Sequence, residues 1–154
     1  MKKLRHRYSG PGNYKLDSYV HPRLAKAAPM VEWSAHKVNY CAEVLLMEDG
    51  LNVQVNESGL ERLSDIAMET FAQICALSRA SRAYVVGHPH AQHEMTIAIP
   101  FIFESRQRVE EIVKQIYANG PMEGQRDLLY EDCGAYVIEH GGYVATNPLI
   151  KNSV

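Results

Sequence analysis

The chain has 154 residues, 46% hydrophobic and 22% charged, with a formal net charge of -2. That length suits one domain able to bury a core without disulfide or metal staples, and no run approaches the roughly 20 apolar residues of a membrane span. The opening MKKLRHRYSGPGNYK is basic with no apolar stretch behind it, so no secretory leader is expected. Cys41, Cys75 and Cys133 are odd in number and widely spaced. They read as free thiols of a reducing, cytoplasmic setting (or of a virion) rather than as a disulfide framework.

Charge is unevenly spread. Residues 1–37 hold eight basic side chains and two acidic ones, whereas the remainder holds eight basic and sixteen acidic. The sequence thus predicts a basic arm, residues 1–34, on a single acidic domain, residues 35–154. Within the arm Gly10, Pro11, Gly12, Pro22 and Pro29 break any period, leaving room for one helical turn over Pro22–Ala28. Tyr8, Tyr14 and Tyr19 recur at intervals of five or six, which suits anchors docking an extended segment on protein.

From Ala35 the pattern alternates. Val38, Tyr40, Ala42, Val44 and Leu46 predict a half-buried strand. Glu48-Asp49-Gly50 predicts a turn, and Leu51, Val53 and Val55 predict the returning strand of a hairpin. Ser58-Gly59-Leu60-Glu61 has the form of a capping box. Leu60, Leu63, Ala67, Phe71 and Ile74 then predict an amphipathic helix ending near Ala80, with Ile66 and Leu77 widening its apolar stripe. Ala83–Gly87 predicts a short strand. After the histidine-rich loop, Met95, Ile97, Ile99, Phe101 and Phe103 predict another, with Pro100 marking an edge or a bulge. Ser105 predicts the cap of a second helix carrying Val109, Ile112, Val113 and Ile116 and ended by Gly120-Pro121. Strands are predicted over 128–131, 135–139 and 143–146. The order implies an α+β fold: an antiparallel sheet of about four to six strands with two helices on one face, a split βαβ-like core.

Three of the seven histidines, His88, His90 and His93, stand within six residues. Imidazoles at that spacing on a turn make a candidate divalent-metal site, completed by Glu94 or a distant carboxylate. His88-Pro89-His90 with Tyr117 resembles the two-histidine and tyrosine arrangement of the HUH endonucleases, which nick single-stranded DNA. It departs from them at Pro89, which replaces a bulky apolar residue. No glycine-rich phosphate loop or nucleophile signature occurs, so no catalytic residue and no organic cofactor are assigned.

The arm is the second candidate. Lys2, Lys3, Arg5, Arg7, Tyr8, Tyr14 and Tyr19 form a predicted interaction set. Nucleic acid would suit the cations, but the body is acidic, so the electrostatically favoured partner is another copy of the chain. An arm adding a strand to a neighbour's sheet would also cover exposed strand edges. These readings converge on a non-enzymatic, self-associating subunit of a larger assembly with further protein partners, of the kind found in viral or phage structures. The alternatives are a metal-dependent nuclease or phosphoesterase using His88, His90 and His93, and a small inhibitor or adaptor of one macromolecule.

Overall fold

The computed structural model describes residues 14–117 and 123–143. Two short 3-10 turns, Leu16–Ser18 and Pro22–Leu24, lead into helix α1 (Ala28–Asp49). A 3-10 stretch, Gly50–Val55, joins it to α2 (Glu57–Val86), and α3 (Ala91–Tyr117) and α4 (Glu123–Glu139) follow. No strand occurs among the described residues. The predicted antiparallel sheet, and the α+β class with it, is therefore corrected to an all-helical fold. The chain divides into a unit ending at Tyr117 and a second beginning at Ala118.

The misreading has a physical cause. Over Val38–Leu46 and Met95–Phe103 the apolar residues are dense enough to satisfy period two and period 3.6 together. Length and continuation decide between them. In α1 the buried positions include the run Ala28, Val31, Ser34, Lys37, Cys41 and Val44, in steps of three and four, with Glu32, Tyr40 and Leu45 beside it. In α3 they are Ala91, Met95, Ala98, Ile102, Ser105, Val109, Val113 and Ile116, again in steps of three and four along the helix. Pro100 sits inside α3 on its exposed side, where solvent can satisfy the carbonyl that the missing N–H leaves bare.

The predicted breaks fall close to real ones, but they separate helices. Gly50 ends α1 with φ +57°, and Gly87 ends α2 with φ +77°. At the second site the Gly87 N–H donates to the Tyr84 carbonyl and the His88 N–H to Ala83, a Schellman ending that needs the left-handed conformation glycine adopts freely. Helix α2 starts two residues earlier than the capping box implies. Asn56 is its cap, with Oδ1 accepting from the Gly59 N–H at 2.8 Å. A Cβ on Gly59 would lie 2.8 Å from the Asn56 amide, so the close cap requires glycine there.

Helix α2 also faces the other way. Gly59, Ile66, Thr70, Gln73, Leu77, Ala80, Ser81 and Ala83 are its buried positions. Leu60, Ala67, Phe71 and Ile74, predicted as core, are exposed. Of the predicted stripe, Ile66 and Leu77 are buried and Leu63 is partly buried against the apolar cluster that contains Ile66.

α1, α2 and α3 pack around two apolar clusters. The first joins Leu24, Ala27, Ala28 and Val31 to Leu77 and Ala80 of α2 and to Met95, Ala98 and Ile102 of α3. The second joins Tyr40, Cys41, Val44 and Leu45 to Ile66 and to Val109, Val113 and Ile116. The segment before α1 docks on this bundle: the Leu16 N–H donates to Glu32 Oε1 at 2.6 Å and the His21 N–H to Ser81 Oγ at 3.2 Å. His21 packs against Tyr84, ring centroids 3.9 Å apart and planes tilted by 47°.

In the second unit, α4 leaves Leu128, Leu129, Tyr130, Tyr136 and Ile138 exposed. It ends with His140 stacked on Tyr136 and with the Gly142 N–H donating to the Val137 carbonyl at 3.0 Å.

Ile102 is fully buried in the first cluster, and truncating such a side chain removes its transfer free energy and leaves a cavity. We predict that Ile102→Ala destabilises the chain by about 3 kcal/mol in urea unfolding followed by circular dichroism. A loss below half a kilocalorie would be inconsistent with this core.

Candidate functional site

Between the two apolar clusters lies a layer of buried polar side chains: Ser34 and Lys37 from α1, Thr70 and Gln73 from α2, and Ser105 from α3. Gln73 Nε2 donates to Ser105 Oγ at 2.8 Å, and Ser105 Oγ donates to Glu69 Oε2 at 2.6 Å. Arg108 closes the chain with two bonds to the Glu69 carboxylate, Nε to Oε1 at 2.7 Å and Nη2 to Oε2 at 3.0 Å. Glu69 is held below the ordinary carboxylate value by its hydrogen bonds from Arg108 and Ser105, against the opposing effect of burial. Such a carboxylate is a weak base. Thr70 Oγ1 and Gln73 Oε1 have no hydrogen-bond partner among the described residues.

Lys37 enters the layer from the other side. Its ammonium lies 5.4 Å from the Trp33 ring centroid and 5.1 Å from that of Tyr40, and Arg106 covers Trp33 at 4.7 Å. The rings supply the negative faces that offset part of the desolvation of the cation. Burial still lowers the Lys37 pKa, with a smaller opposing contribution from Cys41. Burial likewise pushes the Cys41 thiol up to about 11, so this cysteine is inert while folded. Cys75 and Cys133 are exposed.

The outer surface carries two depressions on the α2–α3 seam, both lined by Phe101. One, of about 250 Å³, is bordered by Ala76, Arg79, Glu94, Ile97 and Ala98. The other, of about 530 Å³, is bordered by Asp65, Met68, Ala72, Arg108 and Ile112. The Arg79–Glu94 pair at 3.4 Å spans the first and the Arg108–Glu69 pair flanks the second. The seam is therefore apolar in its floor and ion-paired at its edges.

The predicted sites fall elsewhere. His88 and His90 are exposed in the α2–α3 connection, and His93 is exposed in the first turn of α3. Among the described residues no group of three or more His, Cys, Asp or Glu side chains is placed to hold a metal ion. Lys2, Lys3, Arg5, Arg7 and Tyr8 lie outside the described residues. Tyr14 and Tyr19 are exposed, although the residues around them fold onto their own bundle. The polar layer and the seam were not foreseen. Their members are 32 to 39 residues apart across α2 and α3, a separation that no local pattern encodes. No helix among the described residues is long and apolar enough to cross a membrane.

The family model for the ACAD9/ACADV C-terminal domain matches residues 22–143. The chain belongs to this family. Its match begins at the Pro22 turn and runs past the end of α4. The very long-chain specific acyl-CoA dehydrogenases, mitochondrial, of Rattus norvegicus and Homo sapiens are each 28% identical to it over 148 residues. Those alignments cover 96% of this chain and 22% of the relative. Membership of the ACAD9/ACADV C-terminal domain family overturns the expected viral or phage structural subunit, and the nuclease and inhibitor readings with it. It also agrees with the helical architecture.

Glu69 and Lys37 titrate in opposite regimes. Because the folded Glu69 value is depressed, its stabilisation is present above the ordinary carboxylate value and is lost as pH falls through the folded value. We predict that Glu69→Ala costs about 1–2 kcal/mol near neutrality, by stranding Ser105 and Arg108, and that the difference from the parent fades in acid. An unchanged difference at low pH would contradict the ion-pair origin. The folded Lys37 value is also depressed, but for a cation that means a cost, borne below the folded value and relieved as pH rises toward the ordinary lysine value. Lys37→Met is expected to stabilise the chain by roughly 1 kcal/mol near neutrality, with the gain shrinking toward pH 10.5. A lower melting temperature at neutral pH would show that the ring contacts outweigh desolvation.

Proposed function

We propose that the chain is the helical C-terminal module of an acyl-CoA dehydrogenase and that it acts by contacting protein rather than by supplying a reacting group. The observation that carries this reading is the match of residues 22–143 to a C-terminal domain, with an aligned part that is 22% of the matched relative's length. The remaining length of those relatives is where the reading puts the acyl-CoA chemistry, in the same polypeptide or in a partner.

The chemistry of the bundle fits that division. Dehydrogenating an acyl chain requires a base to take one hydrogen and an acceptor for the other with its electrons. The best-held carboxylates here are committed to structure: Glu32 accepts from the Leu16 N–H, and Glu69 is ion-paired and weakened as a base. What the bundle offers instead is the seam around Phe101, apolar in its floor with paired charges on its margins. That is the make-up of a protein–protein contact, in which an aromatic anchor sits among near-neutral polar neighbours. In this reading the seam receives the dehydrogenase body, and contact between copies of the module accompanies it.

The test is activity in the native fraction. Tagged chain isolated from its source should carry acyl-CoA dehydrogenase activity on a panel of long and very long acyl-CoA thioesters. Phe101→Glu should remove at least nine-tenths of that activity while leaving the circular dichroism of the bundle intact. Wild-type fractions without activity would rule the reading out.

A further inference from the structure

Trp33, Lys37 and Tyr40 follow one another at steps of four and three along one face of α1. The Lys37 ammonium lies over both rings, and Arg106 reaches across from α3 to lie over the same indole. Two cations thus share one aromatic ring where α1 meets α3. Among the described residues neither is paired with a carboxylate. The acids nearest to them along the helices are engaged elsewhere: Glu32 accepts from the Leu16 N–H, Glu110 pairs with Lys114 at 3.4 Å, and Glu104 acts on Arg108.

Aromatic faces are a poor substitute for an anion. They offset only part of the desolvation of a cation, and Lys37, 5% exposed, still loses basicity to burial. Two positive charges drawn to one ring also repel each other. If packing were all that position 37 required, an apolar side chain would serve it better, since a buried charge without a counter-charge costs stability. A compact group with two negative charges relieves both costs at once.

We propose that Lys37 and Arg106 bind a phosphate group, free or as a small ester, beside Trp33 at the junction of α1 and α3. A phosphate carries about -1.5 to -2 charge at neutral pH, which matches the two cations. A single carboxylate would neutralise one of them and leave the other on the ring. The two side chains also divide the task. The Lys37 ammonium is a point charge that one oxygen approaches from any side, whereas the Arg106 guanidinium presents a planar fork that takes two oxygens together. Lys37 is sealed between its rings and forms the fixed half of the site. Arg106 is half-buried at the rim, and its long stem lets it leave the indole face for an anion seated on Lys37.

The site uses neither the seam around Phe101 nor any dehydrogenase activity, so the full 154-residue chain suffices to test it. Trp33 is the single tryptophan of the sequence, and its emission reports on this site alone. Titration with inorganic phosphate at constant ionic strength should change that emission saturably, with half-saturation at about 1 mM or below, while sodium chloride leaves it unchanged. Arg106→Gln and Lys37→Met should each raise the half-saturation concentration by about tenfold or more with helical circular dichroism retained. Should Lys37→Met fail to fold, the half-exposed position 106 decides through Arg106→Gln. A parallel titration with glycerol phosphate separates the two sources. Tighter binding of inorganic phosphate identifies the free anion, and tighter binding of the ester identifies a phosphorylated small molecule; both uphold the site. No saturable change with either, an unaltered half-saturation in folded Arg106→Gln, or acetate binding as tightly as phosphate would overturn the proposal.

Discussion

The bundle depends on the hydrogen-bonded run Gln73–Ser105–Glu69–Arg108, which ties α2 to α3 between two apolar clusters. Apolar contacts alone tolerate sliding, because a leucine displaced by one turn finds another apolar neighbour. A buried amide or hydroxyl does not, since leaving it unpaired costs about 1–3 kcal/mol. A one-turn slip of α3 would strand Gln73 and Ser105 together and bring the Glu69 carboxylate away from its guanidinium. The polar layer therefore fixes the register of the α2–α3 pair, and with it which residues line the seam between them.

What the sequence made legible follows from the range of the interactions involved. Breaks are local chemistry, so Gly50 and Gly87 were both marked as ends of elements. Element type was lost where apolar residues were dense: MTIAIPFIF satisfies two periods at once, and only the continuation through Ser105, Val109 and Val113 separates them. The orientation of α2 was lost for a different reason. Its true inner face carries Thr70 and Gln73, which look like surface, while its outer face carries Leu60, Phe71 and Ile74, which look like core. Polarity is a reliable guide to burial only where the interior has no polar network, and here Thr70, Gln73 and Ser105 are buried. The charge asymmetry was counted correctly, yet the basic residues from Arg23 onward belong to the bundle itself.

α2 is thus asked to satisfy three environments around one cylinder. One side meets α1 and α3, a second forms the floor of the seam at Phe101 with Met68, Ala72 and Ala76, and a third leaves Leu60, Phe71, Ile74 and Val85 exposed. This accounts for its length and for its composition, in which no side is uniformly polar. A helix so arranged gains little from its own amphipathicity. It relies on caps at both ends, Asn56 and Gly87, and on the packing it receives from its neighbours.

The docking of the segment before α1 has a bearing on where this fold can be cut. Leu24 and Ala27 are sealed in the first cluster, and two backbone amides from Leu16 and His21 are satisfied by side chains of α1 and α2. A fragment trimmed to the start of the first long helix would uncover Val31 and Leu77 and orphan Glu32 in an apolar setting. The smallest autonomous piece must accordingly retain the turns from Leu16, and a protease nick at Tyr19 or Val20 would loosen the bundle from its rim rather than merely shorten a tail.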